Sequence, residues 1–164
     1  MILNRDSLVA WLWEHNSVHM PILTGRIEAL AGLNAKQNEG AESYQVVNYG
    51  VGGHYTVHHD AIGNIRSTFN RVATFLIYLT DVAQGGLTVF PWIGVGVQPR
   101  RGRAALWYNL DRSGYRDDRV EHASCPVLLG DKWVINKWVY YGGQMNKVVC
   151  KANDPRAGIV QPVA

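Results

Sequence analysis

The chain has 164 residues, 47% of them hydrophobic and 18% charged, which is the size and apolar fraction of one compact domain with its own core and excludes an extended disordered tail. Sixteen Lys and Arg against 13 Asp and Glu leave a formal charge of +3 with no run of like charges, so the sequence holds no nucleic-acid stripe and its basic excess suits small anions at most. No apolar stretch approaches the roughly 18 residues that a membrane span requires.

Residues 1–35 read as a mostly helical preface, because apolar Leu8 and Leu12, and then Ile22, Ile27, Leu30 and Leu33, recur within each run at steps of three to five. The opening MILNRDSLVAWLWEHN is broken by Arg5 and Asp6 and is a poor secretory signal, so a secretory location would place any signal ahead of this chain. From Ser43 the texture changes to short runs rich in Val, Ile, Tyr, Trp and Thr, punctuated by Gly, Asn and Asp. SYQVVNYG, HYTVHHD, RVATFLIYLTDV, GLTVFPWI, AALWYNL, CPVLL and KWVINKWVYY read as strands. Many short strands after a helical preface predict a mainly β domain, a sandwich or a barrel-like jelly roll. A single domain over 1–164 is expected, with its β core at 43–150 and a C-terminal tail at 151–164.

The stretch YGVGGHYTVHHD, at 49–60, places three histidines and an aspartate behind a glycine-rich turn. In an extended chain, residues two apart share a face, so His58 and Asp60 point together and His59 points away. A histidine beside a carboxylate supplies two legs of the two-histidine, one-carboxylate arrangement that holds non-haem Fe(II) with positions left open. Among His15, His19, His54 and His122, only His122 lies in the β-rich half and well separated from the pair, as closing a triad across a sheet demands. His54 and His59 are read as ordinary packed or exposed residues.

Alternation along KWVINKWVYY puts Lys132, Val134, Asn136, Trp138 and Tyr140 on one face and Trp133, Ile135, Lys137 and Val139 on the other. Both faces are largely apolar, so the strand is expected to be covered on both sides, with one lysine carried inward. A buried ammonium is costly unless an anion meets it. Iron at His58, Asp60 and His122 with an ammonium nearby suits a ligand that chelates metal at one end and presents a carboxylate at the other, as 2-oxoglutarate does. Cys125 and Cys150 lie in no CxxC or zinc-finger arrangement, and their spacing alone leaves free thiols and a bridge equally open.

The blocks YQVVNYGVGGHYTVHHD, NRVATFLIYLTDVAQGGLTVFP, GRAALWYNL and HASCPVLLGDKWVINKW stand in one order and at one spacing. Together they make the sequence resemble the catalytic domain of the collagen prolyl 4-hydroxylase α subunit, in the Fe(II)- and 2-oxoglutarate-dependent dioxygenase superfamily. The likeness is dense over residues 44–138 and looser over the preface. It implies a double-stranded β-helix (jelly-roll) core that hydroxylates peptidyl proline to 4-hydroxyproline with O2, turning 2-oxoglutarate into succinate and CO2, with L-ascorbate as a further cofactor. It implies His58, Asp60 and His122 as iron ligands, Lys132 on the distal carboxylate of 2-oxoglutarate, Tyr49 and Thr88 as hydroxyls that help hold it, and Trp138 lining the site. An apolar ring including Tyr78 and Trp107 would keep water out. Arg71 and Glu42 match positions that contact the peptide, and Cys125 would bridge to Cys150. The implied partners are a proline-rich, procollagen-like peptide and protein disulfide isomerase as β subunit, in the endoplasmic reticulum lumen.

Three departures accompany the resemblance. Tyr140 replaces a common histidine at the rim of the site, the connection from Asp60 to Arg71 is shorter than in vertebrate-type subunits, and Arg103 replaces a small hydroxyl residue. The preface offers no counterpart of the α subunit's dimerisation and peptide-binding segments, which fits a catalytic-domain fragment or a shortened paralogue. Two rival readings are a related 2-oxoglutarate oxygenase with another peptide substrate and a non-catalytic structural relative.

Overall fold

The structure, a computed structural model, describes residues 4–63 and 67–144. Its spine is β12 (Lys132–Tyr140), the longest of the described strands, whose richness in Val, Ile, Trp and Tyr matches burial on both faces. On one side it runs antiparallel to β3 (Tyr44–Tyr49), with Lys132 opposite Tyr49, Val134 opposite Val47 and Asn136 opposite Gln45. On the other side it pairs with β5 (Arg71–Tyr78), which carries β9 (Ala104–Tyr108) at its outer edge, while β2 (Leu8–Leu12) edges β3. The larger sheet therefore runs β2-β3-β12-β5-β9.

The smaller sheet combines β1 (Arg5–Asp6), β4 (His54–His58), β7 (Thr88–Phe90), β8 (Val95–Val97) and β10 (His122–Ser124) in the order β1-β4-β10-β7-β8. A two-stranded ribbon of β6 (Gln84–Gly85) and β11 (Val127–Leu129) stands beside them. Every strand pair is antiparallel, and sequence neighbours are split between sheets, as the jelly-roll reading expects.

Period-two alternation sorts the core into two layers. Val47, Leu76, Tyr78, Phe90, Trp107, Val127 and Val134 cluster on the face of the larger sheet that meets the smaller one. Tyr44, Ala73, Phe75, Ile135 and Val139 face the opposite way and meet Ile27 and Ala31 of α1 (His19–Ala31). The helix buries Thr24, Ile27 and Ala31, a three-then-four step along one face, and ends at Gly32, whose left-handed φ of 67° lets its N–H close on the Glu28 carbonyl.

The helical preface is shorter than the sequence suggested. Residues 5–6 and 8–12 are strands, and only His19–Ala31 is an α-helix. A step of four, as from Leu8 to Leu12, fits a helical face and equally an even-numbered strand step, and pairing with Tyr44 to Asn48 of β3 selects the strand. β6, β8 and β10 were not anticipated, because two or three residues carry too few alternations to register. GLTVFPWI is strand only over Thr88–Phe90, since Pro91 opens a 3-10 turn.

Both lysines of β12 lie inside rather than one of them: Lys132 is 1% exposed and Lys137 is 0% exposed. Lys137, on the helix side, donates to Glu14 Oε1 (3.2 Å) and to the Glu42 carbonyl (2.7 Å), and sits 4.2 Å above the Tyr44 ring. Glu14 also accepts from the Thr24 hydroxyl (2.8 Å) and the Gln37 N–H (3.1 Å). This ion pair ties the loop before α1 to the middle of the sheet.

Candidate active site

His58 is the last residue of β4, and His122 opens β10 directly opposite it. Asp60 lies past the end of β4, so the shared-strand argument holds only as far as His58, and the short turn at 59–61 brings the carboxylate round. One ligating atom from each of the three residues lies within 4.8 Å of the others. His58 Nε2 is 3.9 Å from Asp60 Oδ1, and His122 Nε2 is 3.6 Å from Asp60 Oδ2.

The Nδ1 atoms of His58 and His122 face the carbonyls of Thr56 (2.8 Å) and Val120 (3.0 Å). A carbonyl can only accept, so each Nδ1 carries the proton and each Nε2 presents a lone pair to the common centre. Burial, reinforced by neighbouring His122, pushes the His58 pKa down to about 4, which keeps that ring neutral and able to ligate. Asp60 Oδ2 accepts from the Thr74 hydroxyl (2.7 Å), whose oxygen accepts from Asn109 Nδ2 (2.8 Å). Carbonyl-locked imidazoles and a tethered carboxylate are the surroundings that orient metal ligands. The donor set, two nitrogens and one carboxylate, fits ferrous iron with open positions.

The triad opens into a cavity of about 160 Å³, roomier than an ordered water needs. At its far wall Lys132 Nζ donates to Ser124 Oγ (2.8 Å) and Thr88 Oγ1 (3.4 Å), above the rings of Tyr49 (5.3 Å) and Tyr78 (5.7 Å). The Tyr78 hydroxyl donates to Thr88 (2.7 Å). Among the described residues Lys132 joins no ion pair, and its burial lowers its pKa to about 7. The pocket thus presents a desolvated amine, two hydroxyls and two aromatic faces, a receptor for a carboxylate.

On the opposite rim, Arg71 grips Glu42 through two bonds, Nε to Oε1 (2.5 Å) and Nη2 to Oε2 (2.8 Å), and lies 3.8 Å above the Trp138 ring. Trp138 Nε1, Trp107 Nε1 and Asn136 Oδ1 are buried without hydrogen-bond partners, and all three residues line the cavity. Orphaned polar atoms around a cavity mark places where a ligand's own groups complete the bonding. Tyr140 stands outside this cavity, in a neighbouring groove with Trp11 and Trp13.

Arg5, Gln45, Tyr55, Ser124 and Asn136 line the cavity and were not among the expected site residues. Ser124 shares the strand face of His122 two residues earlier, and Gln45 stands opposite Asn136, so both were within reach of alternation. Arg5 gave no signal, because its segment read as helical. As the cross-strand partner of Tyr55 it lies 4.9 Å above that ring, which stacks 3.6 Å from His58. Arg103 donates to the Gln98 carbonyl (3.0 Å) and fastens the turn before β9. Cys125 is half buried, while Cys150 lies outside the described residues.

A jelly-roll core that frames two histidines, an aspartate and a buried lysine around one cavity defines an oxygenase of the iron-dependent class. Residues 44–140 match the 2OG-Fe(II) oxygenase superfamily, and the chain belongs to that superfamily. Prolyl 4-hydroxylase subunit alpha-1 of Gallus gallus is 43% identical over 158 residues, covering 92% of this chain and 30% of that protein. Prolyl 4-hydroxylase subunit alpha-3 of Homo sapiens is 44% identical over 155 residues, covering 91% of this chain and 28% of that protein. The chain thus spans under a third of the length of these relatives. The viral collagen prolyl hydroxylase of Paramecium Bursaria Chlorella virus-1, solved as its 2OG complex, superposes with a TM-score of 0.70 at 24% identity over 83% of this chain and 79% of that one, which shows the shared fold.

Proposed function

We propose that this chain is the catalytic domain of a collagen-type prolyl 4-hydroxylase, converting peptidyl proline to 4-hydroxyproline while 2-oxoglutarate and O2 become succinate and CO2. The observation that carries this reading is the meeting, in one cavity, of a triad whose lone pairs converge and a buried lysine with no acidic partner among the described residues. Its likeness to prolyl 4-hydroxylase α subunits supports the choice of substrate.

His58, Asp60 and His122 would hold Fe(II), which when bound supplies the redox chemistry that couples decarboxylation to hydroxylation. Lys132 takes the distal carboxylate of 2-oxoglutarate, with the Thr88 hydroxyl beside it and Tyr49 forming the floor. A dicarboxylate there restores the lysine's charge and offsets its desolvation. Leu76, Trp107 and Trp138 wall the cavity and exclude water from the reacting groups. Arg71, held by Glu42 and stacked on Trp138, lines the cavity where a peptide would arrive, and Tyr140 lies in the adjoining groove.

Collagen-type action also assigns L-ascorbate as the reductant that maintains the iron, the endoplasmic reticulum lumen as the compartment and protein disulfide isomerase as a partner subunit. A Cys125–Cys150 disulfide belongs to that oxidising setting, and its loop would stabilise the fold by about 3 kcal/mol on the entropic account. The deciding experiment measures succinate release with Fe(II) and ascorbate, with and without a Pro-Pro-Gly repeat peptide. Peptide-stimulated succinate with hydroxyproline in the product is the expected result. Turnover of 2-oxoglutarate without peptide stimulation would assign the site to another substrate.

A further inference from the structure

The two buried lysines of β12 differ in their partners. Lys137 is paired with Glu14 at 3.2 Å on the helix side of the sheet. Lys132 meets Ser124 Oγ at 2.8 Å, Thr88 Oγ1 at 3.4 Å and the ring faces of Tyr49 and Tyr78 but, among the described residues, no carboxylate. Burial keeps both tyrosines in the neutral form, so neither offers an anion. The same burial lowers the Lys132 pKa to about 7, outweighing Cys125, which favours the ammonium. The ligand-free pocket at pH ~8 therefore holds mostly a neutral amine, a nucleophile facing a cavity of about 160 Å³.

In the proposed reaction this cavity also releases CO2, an electrophile that neutral amines take up. From that reading and this geometry together, we infer that Lys132 is a carbamylation site, where CO2 adds reversibly to Nζ in the absence of 2-oxoglutarate and holds the idle enzyme closed to its cosubstrate. The step needs no co-reactant. The Nζ lone pair forms the N–C bond, one C–O π pair moves onto oxygen, and an N–H proton leaves to water, which gives a carbamate anion and one released proton. The hydroxyls of Ser124 and Thr88, which lie against Nζ, can turn their hydrogens to the carbamate oxygens. The adduct replaces a cation with an anion where the distal carboxylate of 2-oxoglutarate arrives, so the two exclude each other by charge as well as by space. A bound dicarboxylate in turn keeps Lys132 as the ammonium, which has no lone pair to add to CO2.

Metal-free protein equilibrated with carbon-13-labelled CO2 at pH ~8 tests the site without turnover. The α-amino group and exposed lysines also take up CO2, so the carbamate resonances of wild type, Lys132→Met and Lys132→Arg are compared. One resonance should be present in wild type alone and should grow as pH rises through the lysine's own range at fixed dissolved CO2. Alkylation of the carbamate with an oxonium salt, followed by digestion, should leave the label on the Lys132 peptide. That labelling should fall when manganese and 2-oxoglutarate are added before the trap. Lys132→Arg keeps a cation in the pocket without a nucleophilic amine, so the comparison stands even where Lys132→Met fails to fold. Identical spectra in wild type and Lys132→Arg, or a Lys132 peptide without label, overturn the site.

In turnover, CO2 should raise KM for 2-oxoglutarate and leave kcat unchanged, by about twofold at the concentration that half-fills the site, and KM in Lys132→Arg should be indifferent to CO2. A fall in kcat with KM unmoved would place the effect of CO2 elsewhere and overturn the regulatory role. The labelling separates this inference from the reaction itself: label on Lys132 of the metal-free protein keeps the carbamate even where no hydroxyproline forms, and an unlabelled Lys132 removes it even where turnover is normal. Label position then separates the two sources of CO2. Label reaching Lys132 from 2-oxoglutarate labelled at C1, in CO2-free buffer, shows capture of the site's own product, and label from dissolved gas alone assigns the bulk as the source while keeping the site.

Discussion

At the scale of single residues, the three candidate metal ligands are oriented by hydrogen bonds behind them. Thr74 stands between Asp60 and Asn109, donating to the Asp60 carboxylate and accepting from the Asn109 amide. Thr74→Val breaks both links and leaves the Asn109 amide buried and unpaired, which should destabilise the fold by about 1–3 kcal/mol and weaken metal affinity about 10- to 100-fold, as read from thermal melts and metal titration. An unchanged metal affinity would remove Thr74 from the support of the site. His122→Ala should abolish 2-oxoglutarate turnover, and wild-type succinate release in that variant would sink the triad. Lys132 carries a pH signature. Its pKa in the empty pocket is near 7, against 10.5 unburied, so between those values the unfolded chain binds the extra proton and stability of the ligand-free protein rises with pH. A carboxylate entering the pocket reverses the shift by favouring the ammonium. At pH ~8 its binding should therefore take up close to one proton, measurable by calorimetry in buffers of different ionisation enthalpy, and Lys132→Met should take up none.

At the scale of elements, β12 does two jobs by alternation, with Lys132 and Asn136 on the cavity face and Lys137 on the helix face. Lys137→Met would leave the Glu42 carbonyl without its charged donor and release Glu14, and a destabilisation of about 2–3 kcal/mol should appear in denaturant melts. A smaller loss, near that of a surface pair, would mean that Glu14 is held by Thr24 and Gln37 alone. Gly85 is a second element-level constraint. At φ 79°, with the Pro126 carbonyl against the position of a Cβ, it admits no side chain, so Gly85→Ala should part β6 from β11 and lower the melting temperature. Strands of this kind differ in how readily they show in sequence. β3, β5 and β12 are long and rich in branched and aromatic residues, and alternation along β12 separated its two faces from the sequence alone. β10 has only three residues, and Leu8 to Leu12 satisfies two periods at once, so tertiary pairing decides what local pattern leaves ambiguous. His58 and His122 were legible as types and spacing. Arg5 and Tyr55 were not, because their place above His58 exists only once β1 pairs with β4.

At the scale of the molecule, the ligands of the cavity come from both sheets: His58 and His122 from the smaller, Lys132 from the larger, with Asp60 in the turn between β4 and β5 and tied to Thr74 of β5. Binding that engages both sheets at once must stabilise the sandwich as a whole, because metal and dicarboxylate bind the folded chain and not the unfolded one. At about a hundred times its dissociation constant a ligand adds ~2.7 kcal/mol, and a chain of this size gains roughly 2–4 °C in melting temperature per kcal/mol. Manganese or cobalt as a redox-silent stand-in for iron, followed by 2-oxoglutarate, should then raise the melting temperature in two steps of about 5–10 °C each. The variants assign the steps. His122→Ala should lose the metal step and weaken the second, since the 2-oxo acid end then has no metal to meet. Lys132→Met should keep the metal step and lose most of the 2-oxoglutarate step. If Lys132→Met instead lost both equally, the lysine would be supporting the sheet rather than receiving the carboxylate, and the cavity's two ends would not be the separate metal and anion subsites that their geometry describes.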